Sequence, residues 1–133
     1  MIRDPEACAS MDELRAEIDR IDRELVGLLA RRAACIDRAV VLKRAAGLPA
    51  RIDERVEEVV AKVRAAAEAD RLSPALAEAL WRRLIEWSIV REERALDDMA
   101  WASLYDRARL RRVGMIEVAA VRIDMEARRL DVS

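Results

Sequence analysis

The chain lacks histidine and phenylalanine, and its 133 residues include only three glycines, three prolines and two cysteines. The missing histidine excludes the commonest general base, the Ser-His-Asp triad and most zinc sites. Cys8 and Cys35 are too far apart for a CxxC motif, so we expect free thiols in a reducing cytoplasm, with Cys35 buried or half-buried within a helix. The scarcity of aromatic residues disfavours a β-sandwich and favours helices packed side by side.

Charge excess and long apolar runs are also absent. The formal net charge is −1, so no overall field attracts nucleic acid or a membrane surface. No apolar run approaches the ~18 residues of a membrane span, and we expect no signal peptide before the domain. Ala, Arg, Glu and Leu dominate instead, which is typical of long helices.

The first predicted helix is unusually long. Ser10 and Glu13 form a capping-box pattern, and apolar residues then recur at helical spacing to about Ala45, some 50 Å along the axis. Gly47 and Pro49 end this helix. A helix of this length cannot bury its apolar side within a small monomer, so it needs a partner helix.

A short and a medium helix are predicted to follow. Asp53 is the expected N-cap of helix 2, which runs to about Asp70. Ser73-Pro74 then begins helix 3, which reaches at least Leu96. We therefore predict an all-α domain over residues 1–96. Residues 97–133 form a C-terminal extension of uncertain structure, with a basic cluster at 107–112 and a segment at 114–118 that fits either strand or helix.

Three cations on helix 1 indicate an anion site. Arg32 and Lys43 are eleven positions apart, close to three turns, so both project from one face as a cradle. Arg15 precedes Arg32 by seventeen positions, about 25 Å, which is too far for one small anion to contact both. A second, antiparallel copy of the helix could supply its own Arg15, which indicates a dimer with shared sites.

Helix 3 contributes further candidates. Trp81, Ile85, Ser88 and Glu92 follow a +4, +3, +4 spacing and share one side of the helix. Arg55, early in helix 2, could return toward the same place. Each of these residues could equally lie on an ordinary solvated surface. Their pattern, taken by itself, supports only a helical dimerisation module with an anion pocket.

The residues of these helices resemble a known family. The runs 14–22 and 28–32, then Lys43, and the segments 54–56 and 85–88, resemble the all-helical, type II chorismate mutases over roughly residues 5–96. The opening Asp-Pro-Glu-Ala-Cys and Val56 also resemble the related isochorismate pyruvate lyases, which share the fold.

The resemblance implies a three-helix fold in an intertwined homodimer that rearranges chorismate, a small dicarboxylate, to prephenate without cofactor or metal. This reaction belongs to aromatic amino acid biosynthesis, the shikimate pathway. Lys43, Glu92 and Arg32 take the catalytic positions. The implied substrate-binding residues are Arg15 from the partner subunit, Arg32, Lys43, Arg55, Ser88 and Glu92.

Departures from the family pattern concern substrate choice. Many mutases have Glu at the position that Val56 occupies in this chain. They often have Asp at the position that an alignment without gaps assigns to Ile52, although Asp53 could substitute. Glu92 stands where many bacterial members have Gln. The alternatives are therefore isochorismate pyruvate lyase activity, which forms salicylate, 4-amino-4-deoxychorismate mutase activity, and the dimerisation module. The substrate, the pathway served and any feedback regulation are not fixed by the sequence.

Overall fold

The computed structural model describes residues 3–110, with side chains to residue 104. A short 3₁₀ turn, Pro5–Ala7, precedes three helices: α1 (Met11–Ala46), α2 (Asp53–Ala69) and α3 (Pro74–Leu110). No strand occurs among these residues, so the all-α prediction is confirmed. In the same range, no helix is both long enough and apolar enough to cross a membrane.

The N-terminus of α1 is capped nearly as predicted. The Ser10 hydroxyl accepts the Glu13 backbone N–H at 3.1 Å, which is one half of a capping box. The Glu13 carboxylate accepts the N–H of Ala9 at 2.6 Å, one residue before the group that a standard box would use. The cap therefore ties the preceding segment to the first turn of the helix.

Glycine ends α1 because the backbone there is left-handed. Gly47 has a φ of 70°, which glycine adopts without a steric penalty. The Leu48 N–H donates to the Lys43 carbonyl at 2.8 Å, and the Gly47 N–H donates to Arg44 at 3.2 Å. This pair of bonds is a Schellman motif, and Pro49 follows it.

The prediction that Asp53 caps α2 is wrong by one residue. Ile52 occupies the N-cap with extended backbone and no side-chain hydrogen bond, and its carbonyl accepts the Val56 N–H. Asp53 is the first helical residue, where its carboxylate stabilises the positive end of the helix dipole. The helix ends at Ala69, and Arg71, two residues later, has a φ of 59°, which is unusual for a residue with a side chain.

The α3 helix begins as predicted and extends well beyond Leu96. The Ser73 hydroxyl accepts the Leu76 N–H, and Pro74 is the first helical residue. The helix continues unbroken to Leu110, across the predicted boundary between residues 96 and 97. Residues 111–133, including the ambiguous segment 114–118, lie outside the described residues, as do the side chains of the basic cluster.

The chain divides into two compact units, Met1–Arg38 and Ala39–Ser133. In the first unit, the N-terminal segment is anchored to α1 by Glu17, which is buried. Its carboxylate accepts the Arg3 backbone N–H at 2.8 Å and the Arg20 guanidinium at 2.7 Å. These donors hold the pKa of the Glu17 carboxyl below its usual value, with Arg20 the larger cause.

In the second unit, α2 packs along α3 around an apolar cluster. Its buried members are Ala50, Val60, Ile85 and Ile89, with Val56, Val59, Trp81 and Leu96 packed against them. Ion pairs flank the contact, with Arg64 bonded to Glu78 at 2.8 Å and Arg82 bonded to Glu57 at 3.3 Å. This packing fixes the side of α3 that carries the candidate site.

Two rows of large apolar side chains remain exposed. One, the α1 apolar stripe, belongs to the first unit and consists of Ile18, Ile21, Leu25, Leu28 and Leu29. The other, the α3 apolar stripe, belongs to the second unit and consists of Leu76, Leu80, Trp87 and Val90. Cys35, which we expected to be at least half-buried, is exposed, and both cysteines are free thiols.

Candidate active site

A partly buried ion pair joins the end of α1 to α3 within the second unit. The Lys43 ammonium, near the end of α1, donates to the Glu92 Oε2 of α3 at 2.7 Å. It also donates to the Ala50 carbonyl at 2.7 Å. Only 3% of Glu92 is exposed, so its charge depends on Lys43 for compensation. We call these two residues the Lys43–Glu92 pair.

This arrangement leaves Lys43 fixed but still able to bind. An ammonium group has three N–H donors, and described residues engage two of them. About a fifth of its side chain remains exposed. A prealigned cation with a donor to spare can stabilise negative charge that develops on a ligand atom.

Ser88 lies one turn before Glu92 and is also buried. Its hydroxyl donates to the Leu84 carbonyl at 2.8 Å. Ile85 is buried too, and Trp81 is half-buried, so the side of α3 predicted from the residue spacing is the side that faces α2. The sequence pattern placed these residues on one side of the helix, the structure shows that this side is the covered one, and their roles stay predictions.

Arg55 is not brought to the Lys43–Glu92 pair. It is exposed, and its guanidinium bonds Glu58 at 2.9 Å, one turn further along α2. Lys62 bonds the same carboxylate at 2.8 Å. Lys62 and Arg55 together keep the pKa of Glu58 below its usual value, with Lys62 the larger cause. A role for Arg55 at the site therefore needs its side chain to leave Glu58.

Arg15 and Arg32 belong to the first unit. Arg15 is exposed and Arg32 is half-buried. Both lie on α1, where seventeen residues correspond to about 25 Å. A single small anion cannot contact both of them within one protomer. The cradle that joins Arg32 with Lys43 remains a prediction, because the two residues fall in different units.

Two contacts of the loop between α1 and α2 could not be predicted from the sequence. One is the Ala50 carbonyl, a backbone group that no motif identifies. The other is a two-bond ion pair in which the Arg51 guanidinium donates to both carboxylate oxygens of Glu86, at 2.9 and 2.6 Å. Thirty-five positions separate these residues, and neither follows the apolar spacing, so only the fold reveals their contact.

At two of the positions where the chain departs from the expected pattern, the side chains are apolar. Val56 is half-buried and packs against the apolar cluster, and Ile52 is half-buried. Neither side chain can donate or accept a hydrogen bond. A ligand hydroxyl near them would have to find another partner.

Comparison with known proteins agrees with this geometry. The profile of the chorismate mutase type II family matches residues 14–93, well over half of the chain. A bifunctional chorismate mutase/prephenate dehydratase of Aquifex aeolicus (strain VF5) is 43% identical over 53 residues, which cover 40% of this chain and 15% of that protein. No solved structure gives a significant match. The chain belongs to the chorismate mutase type II family.

Proposed function

We propose that the chain catalyses the rearrangement of chorismate to prephenate. The observation that carries this proposal is the Lys43–Glu92 pair, a prealigned cation and a buried acid on family-matched helices. The reaction breaks the ether C–O bond and forms a C–C bond within one molecule. It requires no nucleophile, general base or redox partner, so the absence of histidine is no obstacle.

Lys43 is proposed to stabilise the negative charge that grows on the ether oxygen. Its two contacts within the protomer hold the ammonium before the substrate arrives, so little reorganisation is needed during the reaction. A donor prealigned in this way typically lowers the barrier by about 3–4 kcal/mol. Lysine suits this task because its charge is compact.

Glu92 is proposed to act on the same oxygen. Its Oε2 accepts from Lys43, which leaves the other carboxylate oxygen for the substrate. Ionised, that oxygen would repel the developing charge, whereas protonated it would donate a hydrogen bond. The rearrangement should therefore be faster when Glu92 is protonated.

The remaining cations are proposed to hold the substrate carboxylates. Arginine binds carboxylates through two parallel bonds, which fixes both position and orientation. Arg32 and the partner subunit's Arg15 would grip the carboxylates, with Arg55 beside them and Ser88 near one carboxylate. Holding the flexible dianion in a compact conformation removes part of the entropic barrier.

A homodimer is proposed because the site needs a second copy. Arg15 and Arg32 lie about 25 Å apart on α1, so one substrate can contact both arginines only if they come from different chains. The α1 apolar stripe is exposed along several turns and needs a partner to cover it. The free thiols fit the reducing cytoplasm proposed for the enzyme.

A substrate assay tests the activity and separates it from its competitors. The chain is incubated with chorismate, isochorismate and 4-amino-4-deoxychorismate, and the products are identified. Prephenate from chorismate is expected. Salicylate from isochorismate would instead support the lyase alternative, which the apolar Val56 favours. No product from any of the three would leave a helical dimerisation module.

Mixed dimers test whether the site is shared. Arg15→Ala and Lys43→Ala chains are unfolded, mixed in equal amounts and refolded. Half of the dimers carry both variants, and one of their two sites is intact, so about a quarter of wild-type activity should return. Mixing Arg32→Ala with Lys43→Ala is the matched control, because both residues are proposed to serve the same chain's site and no activity should return.

A further inference from the structure

The loop between α1 and α2 supplies the Ala50 carbonyl that accepts the Lys43 ammonium, and at the next residue it is bonded to α3. There, the Arg51 guanidinium and the Glu86 carboxylate form two parallel hydrogen bonds of 2.9 and 2.6 Å. This geometry constrains both distance and orientation, unlike a single point contact. We call these two residues the Arg51–Glu86 clasp.

Arg51 directly follows the residue that orients Lys43. The preceding residue, Ala50, is 6% exposed and belongs to the apolar cluster, and its carbonyl accepts the Lys43 ammonium. Glu86 and Glu92 lie on the same helix, about 9 Å apart along its axis. The clasp therefore bonds the loop to α3, and the Lys43–Glu92 pair bonds the end of α1 to the same helix.

The clasp contributes little to the stability of the fold. Arg51 and Glu86 have 43% and 55% of their side chains exposed. Exposed ion pairs contribute little to the free energy of unfolding, since water and salt screen them. Hydrogen bonds from Arg51 keep the pKa of Glu86 below its usual value, so the carboxylate stays ionised at neutral pH. The contribution of the clasp should therefore be the position and orientation that it imposes on the loop.

We propose that the Arg51–Glu86 clasp is a positioning pair that fixes the Lys43 ammonium by holding the Ala50 carbonyl in place. Its kinetic consequence rests on the proposed rearrangement, in which Lys43 must be aligned with the ether oxygen. A displacement of about 1 Å at such a donor can reduce the rate 100-fold. Its structural consequence, the environment of Lys43, does not depend on any activity.

The kinetic test uses Arg51→Ala, Glu86→Ala and the charge reversal Arg51→Glu with Glu86→Arg. We expect kcat to fall about 10- to 100-fold in the single variants, with a KM within a few-fold of wild type. The charge reversal should recover most of kcat, because it restores an ion pair across the same gap. The midpoint of thermal unfolding should change little.

Arg82→Ala is the matched control. Arg82 is 43% exposed, like Arg51, and also bonds across two helices, to Glu57 and Glu78. It lies outside the proposed site, and kcat should be unchanged. A kcat loss in Arg82→Ala equal to that in Arg51→Ala, or an unaltered kcat in both clasp variants, would overturn the proposal.

A second measurement separates this inference from the proposed activity. The chain has two lysines, Lys43 and Lys62, so selective ¹³C labelling of lysine gives two side-chain NMR signals. Arg51→Ala should shift or broaden the Lys43 signal, while Lys62, bonded to Glu58 on α2, serves as internal reference. An unmoved Lys43 signal would refute the positioning role, whether or not the protein rearranges chorismate.

Discussion

The two units of the protomer differ in what covers their apolar side chains. In the second unit, α2 and α3 bury Val60, Ile85 and Ile89 against each other. In the first unit, the buried residue is Glu17, and the apolar side chains of α1, such as Leu25 and Leu28, are more than half exposed. One unit has its own core, whereas the other presents a helix with an uncovered apolar side.

This difference parallels the distribution of the candidate site residues. The Lys43–Glu92 pair lies in the unit with a core, and both of its residues come from the same protomer. Arg15 and Arg32 lie in the other unit. The proposed charge stabilisation thus belongs to the unit with a core, and part of the substrate binding is proposed to depend on association.

The largest loss of activity should come from a substitution in the first unit. Leu25 is 51% exposed on the α1 apolar stripe, and Leu25→Glu would place a charge in the proposed dimer interface. We expect a monomer by analytical ultracentrifugation and activity reduced to the uncatalysed rate. Ala34→Glu, an equal charge change on the opposite side of α1, is the control and should remain dimeric. An active Leu25→Glu monomer would contradict the shared site.

A smaller but still large effect is expected in the second unit. Lys43→Ala removes the prealigned donor and leaves Glu92 buried without its partner. Activity should fall about 10²- to 10³-fold, measured as kcat for prephenate formation, while the dimer persists. Lys62→Ala removes an exposed lysine bonded to Glu58 and should retain wild-type kcat. Similar rates for the two lysine variants would show that Lys43 is not catalytic.

Removing the charge of Glu92 tests the other member of the pair. Glu92→Gln keeps the size of the side chain and replaces a carboxylate oxygen by an N–H donor, which does not repel the charge that develops on the ether oxygen. We expect kcat for prephenate formation at neutral pH to be at least as high as in the wild type. Glu92→Ala removes the hydrogen-bonding group and should lower kcat, so an equally low kcat in Glu92→Gln would remove Glu92 from the proposed role.

The smallest expected effect concerns stability in acid. The pKa of Glu17 is held below its usual 4.5, so its interactions stabilise the folded state fully above that pH and are lost as the pH falls through the folded pKa. Glu17→Gln should therefore lose stability less steeply below pH 4.5, as followed by urea unfolding. Arg20→Ala should flatten the slope in the same way, and a wild-type slope in both variants would contradict this account.

Local signals in the sequence predicted the fold well. Ser10, Gly47 and Ser73-Pro74 act through hydrogen bonds and backbone angles within a few residues of themselves, so the helix ends they specify agree with the structure to within one residue. Asp53 was wrongly assigned as the N-cap of α2. The true N-cap residue, Ile52, makes no side-chain hydrogen bond, so the sequence carries no capping motif at that position.

The candidate site was predictable only in part. Spacing placed Ser88 and Glu92 on one side of α3, and the structure buries both. It could not predict that Glu92 bonds Lys43, forty-nine positions away, or that the Ala50 carbonyl joins them, since both contacts depend on how the helices pack. Spacing also could not distinguish the covered side of α3 from the α3 apolar stripe, because both recur every three to four residues.

The uncovered side of α1 has a consequence for how the protein folds. An isolated helix is only marginally stable in water, and most of its stability comes from packing. The α2–α3 contact is local in sequence and should form quickly, whereas the apolar stripe of the first unit has no such local partner among the described residues. In the proposed homodimer, the folding of α1 is therefore coupled to association, and the unfolding temperature should rise with protein concentration.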